Sequence, residues 1–271
     1  MGGLSRAPEL LLDQIGTLQA RLAGGGPVLV ALDFDGTLTE IVDDPSAPGV
    51  SPARREVLAR VPAPGRWLAI VSGRALADVR QRVGIERAIY VGNHGLEIDA
   101  PGSLRSSPPA DAEVRLASLL ASLSARIASL PAAEPAIVEN KGLTATLHVR
   151  PREDERRHAA LGAAIRDPVE EAGFVLRAGK ASWEIRPAGA ATKGDALRRL
   201  IESLPGAAPE RTVYIGDDTT DEDAFRVLAD GVTARVGPAG VETAARYRVG
   251  SPADVYRFLE ILVGSRPLSA A

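Results

Sequence analysis

The stretch VLVALDFDGTLTE, from Val28 to Glu40, joins an apolar run to closely spaced acidic residues. The uncharged Val- and Leu-rich run is typical of a buried β-strand. Asp33 and Asp35 lie two positions apart at its end and are followed by Gly36 and Thr37. Close carboxylates repel each other and lose hydration, so they weaken a fold unless a cation or a substrate uses them. The competing interpretation is an Asp-Gly turn that only closes a strand.

The spacing of these residues favours a binding site. Asp33 and Asp35 face the same side if the strand continues regularly, because the side-chain period of a strand is two. Gly36 permits a tight turn that aims N–H groups at an anion, and Thr37 adds a hydroxyl for capping or binding. The stretch therefore predicts a pocket for a divalent cation and an anion.

Apolar runs alternate with amphipathic helical stretches on both sides of this motif. The alternation predicts right-handed βαβ units on a parallel sheet. The stretches are VLVALDFDG, PARREVLARVP, WLAIVSGR, ALADVRQRVG and AIYVGNHG, and later TKGDALRRLIESL, TVYIGDD and VTARVG. In open parallel sheets, ligand-binding and catalytic residues lie at the carboxyl ends of the strands. The residues predicted there are Asp33, Ser72, Asn93 and Asp217.

The middle of the chain has a different order of predicted helices and strands. Two helical stretches, each followed by a pair of alternating strands, give the order αββαββ of a small α+β domain with an antiparallel sheet. We therefore predict an inserted domain at residues 103–187, with the parallel-sheet domain formed by residues 1–102 and 188–271. The stretch PELLLDQIGTLQARLAGGG before the first strand predicts an amphipathic helix.

Composition excludes several classes of function. The net charge of -3 gives no global field for nucleic acid or an anionic membrane, and no run of about 18 apolar residues occurs. The absence of cysteine excludes disulfides, thiolate nucleophiles and cysteine-ligated zinc, and the three histidines are scattered. A cytoplasmic enzyme or binding protein fits best. No coiled-coil heptad or obligate apolar patch points to a protein partner.

Three further motifs carry candidate chemistry, and each has an ordinary alternative. Ser72 and Gly73 follow a strand and suit a phosphate oxygen, although a Ser-Gly turn is a common element. Lys193 precedes a helix and, taken alone, is a solvated charge. Helix capping is the ordinary explanation for part of the acidic run GDDTTDEDAF, namely Glu222 and Asp223. It does not account for the pair Asp217 and Asp218 at the strand end.

The sequence resembles the haloacid-dehalogenase (HAD) superfamily of phosphotransferases. The resemblance lies in four motifs in this order: DFDGT, SGR, the lysine of TKG and GDDTTD. The resemblance implies an α/β fold, with a Rossmann-like HAD core on a parallel sheet and an inserted αββαββ cap. It also implies that Asp33 attacks phosphorus to form an aspartyl-phosphate, and that Asp35 protonates the leaving alcohol and then activates water. Lys193 and Ser72 would hold phosphoryl oxygens.

The same resemblance implies a Mg²⁺ site. Asp33 and Asp217 would supply side-chain ligands and Asp35 a backbone carbonyl, in keeping with the preference of Mg²⁺ for oxygen. Asp218 or Asp221 adds a metal contact or orients Lys193, and the sequence leaves both alternatives open.

Further motifs resemble the trehalose-6-phosphate phosphatase family within this superfamily. They are GNHG at 92–95, VENKGLTATLHVR at 138–150, WEIRP at 183–187 and the extended GDDTTDEDAF at 216–225. The resemblance implies that the sugar hydroxyls are bound from the cap and from the core. The implied residues are Glu139, Lys141 and Glu184 in the cap and Asn93 and His94 in the core, with Arg186 reaching the ligand or pairing with Glu184.

The resulting expectation is a Mg²⁺-dependent phosphatase that acts on trehalose 6-phosphate, a small-molecule sugar phosphate, as the last step of trehalose synthesis. Another sugar phosphate, such as sucrose phosphate or a glycosyl-phosphoglycerate, is the nearest alternative. A sugar-phosphate mutase and a non-catalytic sugar-phosphate sensor are the alternatives from other classes. The sequence alone does not decide the sugar.

Overall fold

The computed structural model describes residues 8–41, 49–101, 105–106, 111–128, 136–148, 155–179 and 182–264. Its strands are β1 Glu9–Leu10, β2 Val28–Asp33, β3 Arg66–Val71, β4 Ile89–Gly92, β5 Glu97–Asp99, β6 Arg105–Ser106, β7 Ile137–Asn140, β8 Ala145–His148, β9 Phe174–Gly179, β10 Ser182–Pro187, β11 Thr212–Gly216, β12 Val232–Val236 and β13 Tyr247–Val249. Its α-helices are α1 Ile15–Ala23, α2 Pro52–Ala59, α3 Leu76–Val83, α4 Ala112–Ala128, α5 Glu155–Glu171, α6 Lys193–Ser203, α7 Glu222–Val227 and α8 Pro252–Gly264. Short 3-10 turns occur at Leu12–Gln14, Asn93–Gly95, Pro209–Arg211 and Thr219–Asp221.

Two compact units make up the chain. One unit joins Met1–Ser106 to Ala191–Ala271, and the other is Ser107–Ala190. These bounds differ by a few residues from the insert at 103–187 that the sequence predicts. Each unit has its own sheet, and the α/β class predicted from the sequence is confirmed.

The larger unit contains a mostly parallel sheet in the order β1-β13-β12-β11-β2-β3-β4-β5-β6. Pairs from β1 to β4 are parallel, whereas β4–β5 and β5–β6 are antiparallel. The central strands are apolar along their whole length because both faces of the sheet are covered. Residues from α1, α2, α3 and α8 pack on one face, and residues from α6 and α7 pack on the other.

The smaller unit contains an antiparallel sheet in the order β7-β8-β10-β9. The apolar side chains of α4 and α5 form a core with one face of this sheet. Trp183 lies in that core, where its ring stacks on His158 at 4.7 Å and its Nε1 donates to the His158 carbonyl at 2.7 Å. The described strands and helices follow the predicted αββαββ order.

Two local predictions differ from the structure. The first residues of the predicted N-terminal helix form strand β1, because Glu9 and Leu10 pair in parallel with Tyr247 and Arg248 on β13. The α-helix begins only at Ile15, after a 3-10 turn. The short strands β5 and β6 extend the sheet in antiparallel fashion and are not among the predicted strands.

Candidate active site

Four predicted site residues lie at neighbouring strand ends. Asp33 is the last residue of β2, and Asp217 directly follows β11, its parallel neighbour. Ser72 follows β3 and Asn93 follows β4, which lie on the other side of β2. Because adjacent parallel strands end at the same edge, the sheet brings these residues to one edge, as the sequence predicts.

Lys193 reaches this edge from the beginning of helix α6. Thr192 caps the helix: its hydroxyl accepts from the Asp195 N–H, and the Asp195 carboxylate accepts from the Thr192 N–H. Lys193 is therefore the first helical residue, and its side chain is only 3% exposed. Its Nζ donates to Oδ1 of Asp33 and to Oδ1 of Asp221, both at 2.7 Å.

The environment raises the pKa of Lys193 above its ordinary value. Burial by itself lowers this pKa, but the adjacent carboxylates of Asp221 and Asp33 more than offset that effect. The lysine is therefore held as an ammonium between two anions, and its positive charge is fixed next to Asp33.

Asp221 is a fully buried hydrogen-bond acceptor. Besides Lys193, its Oδ1 accepts from the Tyr214 hydroxyl at 2.5 Å. Its Oδ2 accepts from the backbone N–H groups of Asp217 at 3.0 Å and Asp218 at 2.9 Å. Each carboxylate oxygen thus has two donors, which is the arrangement expected of a residue that orients Lys193 and the backbone after β11.

Asp33, Asp217 and Asp221 form an acidic cluster suited to a metal ion. Carboxylate oxygens of the three residues lie within 4.8 Å of one another. They face one ammonium, so the fully ionised cluster has an excess of two negative charges, equal to the charge of one divalent cation. Oδ1 of Asp217 is buried and has no hydrogen-bond partner among the described residues. The donor set therefore fits a divalent cation, with Asp217 offering the least occupied oxygen.

Crowding in this cluster changes two carboxyl pKa values. Burial is the largest cause of the rise in the pKa of Asp33 above its ordinary value, and Lys193 opposes it. Burial, followed by the charge of Asp221, raises the pKa of Asp217 to about 7. A cation would favour the ionised forms of both groups and would relieve their repulsion.

Gly36 allows the DFDG turn to pass close to Asp217. Its φ is +78°, and a Cβ at this position would lie 2.2 Å from Oδ2 of Asp217. A larger residue would both strain the backbone and displace the carboxylate. Thr37 is fully buried next to it, and its Oγ1 has no hydrogen-bond partner among the described residues.

Asp35 lies outside the acidic cluster and pairs with Arg74. Arg74 donates to both carboxylate oxygens, from Nε at 2.7 Å and from Nη2 at 2.8 Å, and it also contacts Asp78 at 3.1 Å. The Asp35 side chain is 46% exposed, so it is accessible to a ligand. Arg74 stands in the SGR motif, and nothing in the local sequence indicates which acid it pairs with.

Two loops contact each other closely at this edge. One follows β3 and contains Ser72 and Gly73, and the other follows β4 and contains Asn93 and His94. The Asn93 N–H donates to the Arg74 carbonyl at 2.7 Å, and the His94 N–H donates to the Ser72 carbonyl at 2.9 Å. Ser72 Oγ accepts from the Arg74 N–H at 3.1 Å, and Gly73 packs so closely that a Cβ would lie 2.4 Å from the His94 ring.

The backbone of this loop pair is strained. Asn93 and His94 have φ values of 46° and 57°, a region that residues other than glycine rarely adopt. Two consecutive residues in this conformation indicate a loop that its surroundings hold in place. The Asn93 amide also donates to Glu97 at 2.6 Å, a contact that the sequence analysis missed.

Asp218 is exposed and its side chain caps the Thr219–Asp221 turn, where Oδ1 accepts from the Thr219 N–H at 2.7 Å. Its carboxylate is not part of the acidic cluster found among the described residues. Of the two residues considered for orienting Lys193, these contacts favour Asp221, whereas the Asp218 carboxylate caps the turn, a role that was not predicted for it.

In the smaller unit, predicted sugar-binding residues share one face of the antiparallel sheet. Glu139 pairs in register with Thr146, and Thr146 with Glu184, so the three side chains form a row across β7, β8 and β10. Lys141 and Arg186 lie two positions beyond Glu139 and Glu184.

This face of the sheet is polar and partly charged. Nε2 of His148 lies 3.1 Å from Glu139, Lys141 lies 3.9 Å from Glu139, and Arg186 is 2% exposed. The opposite face carries Leu147, Trp183 and Ile185 in the unit's core. The alternation predicted for this hairpin therefore separates a packing face from a polar face.

The model of the family described as Trehalose-phosphatase matches residues 31–250, which include parts of both units and the DFDGT, SGR, TKG and GDDTTD motifs. The chain belongs to the trehalose-phosphatase family. It is 37% identical over 249 residues to a trehalose-phosphate phosphatase of Mycobacterium marinum, a match that covers 84% of this chain and 60% of the relative. It is 36% identical to a probable trehalose-phosphate phosphatase of Oryza sativa subsp. japonica, covering 88% of this chain and 66% of the relative. The chain thus spans about 60% of the length of the mycobacterial relatives that it matches.

Solved structures in the family have the same fold. The trehalose-6-phosphate phosphatase of Aspergillus fumigatus aligns with a TM-score of 0.69 at 26% identity, covering 96% of this chain and 100% of that chain. The C-terminal domain of the Candida albicans trehalose-6-phosphate phosphatase aligns with a TM-score of 0.78 at 23% identity, covering 96% and 99%. In the part of the chain that the structure describes, none of the helices has both the length and the apolarity to cross a membrane.

Asp217 gives the acidic cluster a testable pH dependence. The metal-free protein should lose stability as the pH rises from about 4 to about 7, because Asp217 with its pKa near 7 resists ionisation only when folded. In the presence of a chelator, Asp217→Asn should therefore raise the melting temperature by several degrees at pH 8 and change it little at pH 4. Thermal unfolding followed by circular dichroism measures both values.

Asp223→Asn is the matched control, because Asp223 pairs with Arg226 outside the cluster. It should leave the melting temperature nearly unchanged at both pH values. If Asp217→Asn changed the melting temperature equally at pH 4 and pH 8, the loss of stability with rising pH could not be assigned to ionisation of Asp217.

Proposed function

We propose that this chain is a Mg²⁺-dependent phosphatase that hydrolyses trehalose 6-phosphate to trehalose and inorganic phosphate through an aspartyl-phosphate at Asp33. The observation that carries the proposal is the buried Lys193–Asp33 pair within the acidic cluster, in a member of the trehalose-phosphatase family. Family membership favours the substrate, and the geometry of the strand ends favours the chemistry.

Asp33 is the proposed nucleophile because it is the carboxylate that Lys193 holds at the end of β2. In the first step a carboxylate oxygen of Asp33 bonds to phosphorus while the bond from phosphorus to the sugar oxygen breaks. In the second step water attacks the same phosphorus, which releases phosphate and restores the carboxylate. Lys193 stabilises the phosphoryl oxygens in both steps through its fixed positive charge.

Asp35 is the proposed proton carrier. It gives a proton to the leaving sugar oxygen in the first step and takes one from the attacking water in the second. Arg74 holds this carboxylate through two hydrogen bonds, which fix its orientation.

Asp33 and Asp217 are the proposed side-chain ligands of Mg²⁺, with a backbone carbonyl from Asp35. When bound, the ion screens the repulsion between the phosphate dianion and the carboxylates. Ser72 and Gly73 are proposed to contact the phosphoryl group from the adjacent strand end. Asp221 and Asp218 are proposed to position the backbone and Lys193, in keeping with their hydrogen bonds.

Sugar recognition is assigned to the smaller unit, which we propose is a substrate-binding cap, and to the GNHG loop. A neutral disaccharide presents many hydroxyls, so its recognition needs fixed donors and acceptors. The polar face with Glu139, Lys141, Glu184 and Arg186 offers both kinds of group. Asn93 and His94 are proposed to contact the sugar from the catalytic unit.

The same proposal includes the cellular role expected from the sequence. Hydrolysis of trehalose 6-phosphate would complete trehalose synthesis in the cytoplasm, with a free sugar phosphate as the partner and no obligate protein partner.

A phosphate-release panel tests the proposed substrate directly. Trehalose 6-phosphate should give the highest kcat/KM among trehalose 6-phosphate, sucrose 6-phosphate, glucosyl-3-phosphoglycerate and glucose 6-phosphate. Activity should disappear with a chelator and return with Mg²⁺, because the acidic cluster is the proposed site of the ion. Equal or faster turnover of another sugar phosphate would contradict the assignment of the sugar. Activity that survives the chelator would contradict the metal requirement.

Glu184→Gln tests the role of the polar face. We expect KM for trehalose 6-phosphate to rise about tenfold, the usual consequence of weakening a hydrogen bond to a charged group. Hydrolysis of p-nitrophenyl phosphate, which has no sugar hydroxyls, should change less than about twofold. Steady-state kinetics on both substrates separate the two effects.

Glu170→Gln serves as the matched control, because Glu170 pairs with Arg166 on helix α5 of the same unit. This variant should leave the steady-state kinetic constants for both substrates unchanged. An equal loss with both substrates for Glu184→Gln would instead assign Glu184 a structural role.

A further inference from the structure

Tyr214 is buried behind the proposed catalytic residues, and none of the roles above includes it. It lies on β11 between β2 and β12, paired in register with Ala31 and Thr233, so the centre of the sheet fixes its backbone. Its side chain is fully buried among residues of α6 and α7. The ring of Phe225 on α7 packs edge-on against it, with the centroids 5.7 Å apart.

The hydroxyl of Tyr214 is directed at one oxygen of Asp221. It donates to Oδ1 at 2.5 Å, and the same oxygen accepts from Lys193 at 2.7 Å. Lys193 in turn donates to Asp33 at 2.7 Å. The four groups thus form one continuous chain of buried hydrogen bonds, from the middle of the sheet to the residue at the end of β2.

Two carboxylates compete for Lys193 within this chain. Asp221 and Asp33 each accept from the same Nζ, and the lysine is useful to phosphoryl transfer only to the extent that its charge is available near Asp33. A donor on Asp221 withdraws negative charge from its Oδ1 and weakens its hold on the lysine. Tyr214 supplies that donor, whereas Asp33 has no tyrosine partner among its described contacts.

We propose that Tyr214 is a positioning residue that sets how Lys193 is shared between Asp221 and Asp33. Without the hydroxyl, Asp221 would draw the ammonium toward itself and away from the phosphoryl group. This inference rests on the proposed phosphatase function, but it does not depend on which sugar the enzyme accepts.

The test compares Tyr214→Phe with Tyr90→Phe. Tyr90 is also a fully buried strand tyrosine, but its hydroxyl is hydrogen-bonded to the backbone of Ile85 at 2.9 and 3.0 Å, apart from the acidic cluster. We expect Tyr214→Phe to lower kcat about tenfold and to leave KM and the Mg²⁺ concentration for half-maximal activity within about twofold. Tyr90→Phe should leave all three unchanged, although both variants lose a buried hydrogen bond and some stability.

A binding measurement gives a second readout that does not depend on turnover. Orthovanadate with Mg²⁺ mimics the transferring phosphoryl group, and its dissociation constant should rise about tenfold in Tyr214→Phe and stay unchanged in Tyr90→Phe. Isothermal titration calorimetry measures it. Phe225→Leu, which removes the ring contact and keeps the hydroxyl, should retain kcat within about threefold.

Unchanged kcat and vanadate affinity in Tyr214→Phe would overturn the inference. A loss in Phe225→Leu as large as that in Tyr214→Phe would also overturn it, because packing would then explain the effect. The kinetics use p-nitrophenyl phosphate as well as trehalose 6-phosphate, so a wrong sugar assignment leaves this test intact. A wild type that neither hydrolyses a phosphate ester nor binds vanadate would overturn the proposed function together with this inference.

Discussion

The rest of the site depends on one buried interaction, in which the ammonium of Lys193 donates to the carboxylates of Asp33 and Asp221. Burying a charge is costly unless it is paired and hydrogen-bonded, and burying three carboxylates around one lysine leaves an unbalanced negative charge. The fold tolerates this arrangement because Asp221 has four donors. The remaining imbalance is what makes the cluster suitable for a divalent cation.

Regular elements of the larger unit hold each of these three residues in place. Asp33 is held at the end of a central strand, Lys193 at the first position of a capped helix, and Asp221 in a turn tied to β11. Gly36 lets the DFDG turn approach Asp217 without displacing its carboxylate. Since each group comes from a different element, the site forms only when the parallel sheet and helix α6 pack together.

The sequence predicted much of this because its motifs follow apolar strands. The strand ends at Asp33, Ser72, Asn93 and Asp217 are predictable from runs of Val, Ile and Leu that stop at polar residues. The αββαββ order was predictable from a change of periodicity. Strand β1 was not, because Glu9 and Leu10 pair with residues more than 200 positions away and the local pattern is helical.

Contacts between distant residues explain what the sequence did not reveal in the site. Arg74 meets Asp35 across 39 positions, so a local pattern cannot identify the pair. Tyr214 is typical of a core strand residue, and only the position of Asp221 shows that its hydroxyl has a polar partner. The choice between Asp218 and Asp221 as the partner of Lys193 likewise depended on contacts that form only in the folded turn. Residue type and spacing thus predicted which polar residues stand at the strand ends, whereas long-range packing determined how the charges are shared.

The central claim, that Asp33 is the phosphorylated nucleophile, is tested most directly by chemical trapping. An acyl phosphate is reduced by borohydride, so an enzyme quenched during turnover of trehalose 6-phosphate should contain homoserine in place of aspartate at position 33. Peptide mass spectrometry locates the change, and unreacted enzyme is the control. We predict modification at Asp33 that depends on substrate. Modification at Asp35 or Asp217 instead, or phosphate release without any trapped residue, would contradict the account.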